Sequence, residues 1–322
     1  MKSLEAFFYQ KKIIVTGGTG FIGSNLVRTL LSYSAKVHLF VRKDSNLSRV
    51  EDILNDLTVI EVEPSIISSV QMEIKKISPE YFFHFAIPPH NKLRNPQEFV
   101  EQLKQSSLYL TNILQSISEI SEFKAFIHAC SANIYRWSEG RSLDESTPFD
   151  PTNFRGMLKL NERNICKYFS RNGKFPIYLA RISRAYGPWD SEDKFILTAL
   201  NAVKNDSILL LGNEKYKRDY IYTEDLIRGV LLLASSKLPS GTEMNLGSSS
   251  QYNVLAIVNI LEEILGLEIP KKLNAYPKNV YDKGDFLIDN NFAKKTLNWE
   301  PEFSLYEGLK ATIEWHKNFN KW

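Results

Sequence analysis

Lys12-Ile13-Ile14-Val15-Thr16-Gly17-Gly18-Thr19-Gly20-Phe21-Ile22-Gly23 sets an apolar run of strand length against a cluster of glycines, and Asn25-Leu26-Val27-Arg28-Thr29-Leu30-Leu31 follows with helical spacing. A buried strand that breaks into glycines and restarts as a helix is a phosphate cradle. Gly17 permits the tight turn, Gly20 lets the backbone approach a pyrophosphate, and Gly23 lets the helix lie close to the strand with its first N–H groups aimed at the anion. A dinucleotide is the expected ligand, with Gly17, Thr19, Gly20, Phe21, Ile22 and Gly23 as its candidate contacts.

Working outward, strand-length apolar runs at Ile13 to Thr16, Val37 to Val41, Thr58 to Val62, Tyr81 to Phe85, Ala125 to Ala129 and Ile177 to Ile182 alternate with helical patterns at Gly23 to Leu31, Val70 to Ile77, Pro96 to Ile117 and Arg155 to Phe169. That alternation predicts an α/β fold, a doubly wound parallel sheet of the Rossmann kind with helices on both faces. Beyond Tyr186-Gly187-Pro188 the pattern is less regular, with helices expected over Asp225 to Ala234 and Val254 to Leu265 and the region closing near Leu305 to Trp315. The expected division is a dinucleotide-binding domain over residues 1–183, joined by about 219–247, and a smaller C-terminal α/β substrate region over 184–322. In such sheets ligands bind beyond the carboxyl ends of the strands, which gives weight to the residues that follow them.

The chain has 322 residues, 43% hydrophobic and 24% charged, enough for one large domain or two unequal ones. A formal charge of +3 with scattered Lys and Arg argues against a nucleic-acid partner. Cys130 and Cys166 have no metal-like spacing and favour a reduced, cytoplasmic setting, with no metal site expected. No run approaches a membrane span, and Met1 to Gln10 carries Glu5 and lacks an apolar signal core, reading as a short extra helix or arm.

Further landmarks recur. His84-Phe85-Ala86-Ile87 ends the fourth strand, Cys130-Ser131-Ala132-Asn133-Ile134-Tyr135 ends the fifth, and Arg155-Gly156-Met157-Leu158-Lys159 opens a helix; Arg181 to Pro188, Lys217-Arg218-Asp219-Tyr220-Ile221, Asn245 to Ser248 and Leu297 to Pro301 follow. From Lys12 to Trp315 these resemble the extended short-chain dehydrogenase/reductase family, the nucleotide-sugar epimerases, dehydratases and reductases. The resemblance implies that Ala86 lies along the adenine side of the cofactor, that Ser131 hydrogen-bonds the reacting sugar oxygen, and that Lys159 binds the nicotinamide ribose. It also implies that Arg218, with Asp219 and Tyr220, belongs to the segment clamping the nucleotide diphosphate. A homodimer is implied too, through a four-helix bundle built from Pro96 to Ile117 and Arg155 to Phe169.

The chain departs from the family at several points. Relatives that use NAD end the second strand in an acidic residue; here Val41 stands there, followed by Arg42, Lys43 and Ser45, which suit a 2′-phosphate. NADP(H) is therefore preferred, with NAD(H) possible through Asp44. Ala132-Asn133 replaces the Asp-Glu pair of dehydratases, which makes a 4,6-dehydratase unexpected. Pro151 to Glu162 resembles the family segment Asn-Pro-Tyr-Gly-x-Ser-Lys-Leu-x-x-Glu, but Arg155 stands in place of the catalytic tyrosine, and an arginine cannot usefully surrender its proton. Arg184 replaces an asparagine and is placed to reach a substrate phosphate, and Ser106 stands near the asparagine that braces the lysine. The expected activity is an NADP(H)-dependent reductase of a 4-keto nucleotide sugar or an epimerase, with Ser131, Lys159 and Arg155 in the site and the proton coming from Tyr135, from Lys159 through water, or from the sugar itself. The alternative is a degenerate member that binds cofactor or nucleotide sugar as a sensor or assembly partner.

Overall fold

The computed structural model describes residues 3–88, 96–136, 140–275 and 284–319, and divides into two compact units. The first holds residues 1–134, 151–181 and 230–244; the second holds 135–150, 182–229 and 245–322. This differs from the sequence-based division at several points. Residues 135–150 and 182–183 fall in the second unit, and of the returning segment only 230–244 falls in the first.

A short helix, α1 (Leu4–Phe8), precedes the first strand, as the sequence predicts for this segment. The first unit is built on β1 (Lys12–Thr16), β2 (Lys36–Val41), β3 (Thr58–Glu61), β4 (Tyr81–His84), β5 (Ala125–Ser131) and β6 (Ile177–Ile182). After the short β7 (Arg184–Tyr186), β8 (Leu209–Leu210) and β9 (Arg218–Tyr222), the strand β10 (Glu243–Leu246) returns to complete a seven-stranded sheet in the order β10-β6-β5-β4-β1-β2-β3. β1 pairs in parallel with β2 and β4, β2 with β3, and β4 with β5. The central strands are buried along nearly their whole length, which is why they read as unbroken apolar runs, whereas edge strand β3 is mostly exposed. α2 (Phe21–Ser32), α3 (Ile67–Ile77), α4 (Pro96–Ile117) and α5 (Phe154–Asn172) flank the sheet, and α4 packs on both α3 and α5. The Rossmann expectation holds.

In the second unit β9 pairs in parallel with β7 and antiparallel with β11 (Gln251–Tyr252), and β8 pairs with β12 (Lys271–Lys272). Its core joins Tyr186, Leu200, Tyr222, Leu261 and Leu309 from these strands and from α6 (Phe195–Lys204), α8 (Val254–Leu265) and α10 (Leu305–Phe319). Trp299, buried just after α9 (Asn291–Leu297), donates its indole N–H to the carbonyl of Asp225 at 3.1 Å. Asp225, in the first turn of α7 (Thr223–Ser235), accepts from the N–H groups of Glu302 and Phe303. That knot accounts for the Leu297 to Pro301 landmark as a structural one.

Candidate functional site

The cradle is set by backbone alone. Gly17 has φ +71°, a left-handed conformation that favours glycine, and a Cβ there would fall on the backbone of Phe85 and Ala86. A Cβ on Gly23 would fall on the Gly17 carbonyl, so only glycine lets α2 approach the turn this closely. Gly20 is the extended N-cap of α2 and brings no side chain to cap it, so the first N–H groups of the helix are available to an anion. Thr19 lies in this same turn, Phe21 and Ile22 open α2, and half-buried Ala86 borders the turn after β4. These features fit a dinucleotide pyrophosphate.

The side-chain part of the site stands where β5 meets α5. Ser131 is the last residue of β5; its hydroxyl accepts from the Asn133 N–H at 3.2 Å, which fixes the oxygen in a tight turn. Asn153 caps α5 by accepting from the Gly156 N–H at 2.9 Å, and a Cβ on Gly156 would fall on the Asn133 carbonyl. Gly156 thus brings the start of α5 against the turn after Ser131. Lys159 lies one turn further on, 5% exposed, its carbonyl facing the Cys130 thiol. Arg155, one turn before it, is exposed.

Behind Lys159 runs a buried polar chain. Its Nζ is 2.7 Å from Glu162 Oε2, Ser106 donates to Glu162 Oε1, and His128 Nε2 lies 3.3 Å from Glu162 Oε2. The His128 ring stacks on His84, whose Nδ1 lies 2.8 Å from Thr16 Oγ1, one residue ahead of Gly17. Burial by itself raises the Glu162 carboxyl, but the Lys159 ammonium and His128 outweigh it and hold the group well below the usual carboxylate range. Burial, with the neighbouring His128, brings His84 down to about 3, and burial likewise lowers His128, so both imidazoles are neutral at pH 7. Burial pushes the Cys130 thiol up to about 11, which removes it as a nucleophile.

The segment after β2 is exposed at Arg42 and Lys43. Ser45 Oγ accepts from the Arg42 N–H at 3.0 Å, and Asp44 Oδ1 lies 3.8 Å from Arg42 Nε.

In the second unit, Arg184 on β7 lies over the ring of Tyr220 on β9, 5.5 Å from its centroid, and Arg218 is buried. Arg218 donates to the carbonyls of Lys217 and Gly284, each at 2.7 Å, and burial, then the charge of Arg184, bring its pKa to about 10. Asp219 is fully buried and accepts from Ser183 Oγ, from the N–H groups of Ser248, Ser249 and Ile288, and from Ser248 Oγ. Its carboxylate is saturated by its own fold. Tyr135, named above as a proton donor, also belongs to this unit: its buried hydroxyl donates to Asn245 Oδ1 at 2.6 Å, which commits it to holding β10. The sequence reading counted Glu162 in the family match but missed it as the lysine's partner, because its burial beside Lys159 shows only in the folded chain. It missed His128 because nothing in a strand marks one histidine as facing a helix.

Against known proteins, the model of the NAD dependent epimerase/dehydratase family matches residues 13–247. A dTDP-D-glucose 4,6-dehydratase of Bos taurus is 25% identical, over 98% of this chain and 91% of its own. Among solved structures, the UDP-glucose 4-epimerase of Thermotoga maritima with UDP-glucose superposes with a TM-score of 0.84 at 23% identity, over 95% of this chain and 98% of that one. A UDP-glucuronic acid 4-epimerase of Bacillus cereus, in complex with UDP-glucuronic acid and NAD, gives 0.83 at 23%, over 95% and 99%. The two structures speak to fold.

Proposed function

Because the chain belongs to the NAD dependent epimerase/dehydratase family, we propose that it is a nicotinamide-dependent enzyme acting on a nucleotide-linked sugar, most simply a 4-keto-sugar reductase or an epimerase, preferring NADP(H) to NAD(H). The observation that carries this is Lys159, buried on α5 and paired with Glu162, although Arg155 stands where the family has its tyrosine. When bound, the nicotinamide supplies or accepts the hydride. Gly17 to Gly23 hold the pyrophosphate, Arg42, Lys43 and Ser45 meet the 2′-phosphate, and Lys159 holds the nicotinamide ribose. Ser131 orients the reacting oxygen, and Arg155 stabilises negative charge developing on it. With Tyr135 engaged by Asn245, Lys159 acting through water is the favoured proton source. Arg218 and Arg184 favour an anionic nucleotide portion of the substrate. Ala132 and Asn133, which offer no acid or base pair, weigh against dehydration, although the Bos taurus relative bears a dehydratase name.

A second reading, a cofactor or nucleotide-sugar binder without turnover, is favoured by Arg155 being exposed where a proton donor would be needed. Incubation with a panel of 4-keto nucleotide sugars separates the two. Oxidation of NADPH, or interconversion of sugar epimers, supports the enzyme; tight cofactor binding with neither reaction supports the binder.

A further inference from the structure

Lys159 does not stand as an isolated cation. Its ammonium is 2.7 Å from Glu162 Oε2, and both side chains are almost fully buried. The carboxylate accepts from Ser106 of α4 through Oε1, and His128 of β5 lies 3.3 Å from its Oε2. A buried carboxylate bonded on one oxygen and enclosed by other elements has little freedom to swing away, so it fixes the lysine as well. We propose that Glu162 is a positioning residue for Lys159, keeping it as half of a neutral buried pair so that it serves the ligand as an oriented hydrogen-bond donor. The proposal rests on the reading that Lys159 faces the cofactor.

The charges around the pair bear on its test. His128 and Cys130 face it from β5, His84 from β4, Cys166 from α5 itself, and Arg181 of β6 and Glu243 of β10 stand beyond Cys130; Arg155 lies one turn earlier on α5. Both histidines are neutral there and both thiols are kept protonated by burial, while Arg181 and Glu243 pair with each other at 2.6 Å. None of them supplies Lys159 with a replacement anion.

The test compares the unmodified protein with Glu162→Gln, Glu162→Asp, Lys159→Met and the Lys159→Met/Glu162→Gln double variant. NADPH and NADH affinities are measured by fluorescence from pH 6 to 10, with circular dichroism confirming the fold at each pH. Without its counter-charge a buried ammonium gives up its proton more readily. Glu162→Gln is therefore expected to lose cofactor affinity at least about tenfold as pH rises, in a single step absent from the unmodified protein and from Glu162→Asp. The double variant is expected to lack the step, which assigns it to Lys159. A flat profile in Glu162→Gln matching the unmodified protein would overturn the proposal. Thermal melting of the same set needs no ligand: the double variant should melt above Glu162→Gln alone, and strictly additive losses would overturn the pairing. If the unmodified protein binds neither cofactor, the cofactor reading falls, and the melting cycle still decides the pair.

Discussion

The glycine turn and the start of α5 lie in the same unit, and they hold their sites by opposite means. The turn is determined by backbone: a positive φ at Gly17 and close approaches at Gly17 and Gly23 leave room for one residue type. The α5 site is determined by side chains, a row running from Thr16 through His84, His128 and Glu162 to Lys159. Backbone sites admit little substitution, whereas side-chain sites can exchange one partner for another if the charges still balance. This chain keeps the glycine spacing of the family and departs from its pattern at Arg155 on α5, as that difference would lead one to expect.

The sharpest way to break the comparison is Gly17→Ala. A left-handed φ costs a non-glycine residue about 1 to 2 kcal/mol, and the clash with the backbone of Phe85 and Ala86 adds a similar amount. The variant should lose about 3 kcal/mol in stability or more than about 100-fold in cofactor affinity. Calorimetry of unfolding and of NADPH binding reads both, and a tolerated alanine would remove the claim that this turn is fixed by backbone.

The buried row predicts a pH effect. His84 is neutral when folded, with its pKa taken from 6.5 down to about 3, so below pH 6.5 the unfolded chain binds a proton that the folded chain refuses. Stability is fully present above pH 6.5 and falls as pH drops through this window, by about 3 kcal/mol at pH 4. His84→Gln, which keeps a partner for Thr16, should flatten the acid limb of melting temperature against pH. An unchanged slope would mean that the imidazole is not buried neutral.

The same contrast explains what could be read in advance. Pro96–Ile117 and Val254–Leu265 match their predicted helices end to end, because strong periodicity sits between clear boundaries. The sheet was legible because fully buried parallel strands are written as continuous apolar runs. β10 was not, since its Glu243-Met244-Asn245-Leu246 mixes a charge and an amide into a core strand, where Glu243 answers Arg163 and Arg181. The cradle could be read from glycine spacing alone, but Ser106, His128 and Glu162 come together only in three dimensions. Asp219 lay within a recognised motif, yet its saturation by Ser183, Ser248, Ser249 and Ile288 could not be seen from the sequence.

Arg42 tests whether side-chain exchange also sets cofactor choice. Arg42 and Lys43 lie exposed beside Ser45, with Asp44 3.8 Å from the guanidinium as the group a phosphate would displace. In so open a setting a charge-assisted bond is worth about 1.5 kcal/mol. Arg42→Ala should therefore narrow the preference for NADPH over NADH by about tenfold, read by titration of each. Equal affinities in the unmodified protein would assign these residues to the solvated surface.

Arg155 carries the smallest expected effect and sharpens the comparison most. Two cations one helical turn apart repel modestly, and Lys159 is answered by Glu162 inside the helix, while Arg155 stands exposed at this end of α5. Because it is exposed, its attraction for an anion is screened, and Arg155→Ala should weaken cofactor or substrate binding by about fivefold, about 1 kcal/mol. Arg155→Tyr places a phenol one turn before Lys159, where the family has its proton donor, and should raise keto-sugar reduction if Ser131 and Lys159 are set for that chemistry. An inert Arg155→Ala together with an inactive Arg155→Tyr would show that the side-chain site has given up catalysis while the backbone site persists, and the binder reading would then replace the enzyme.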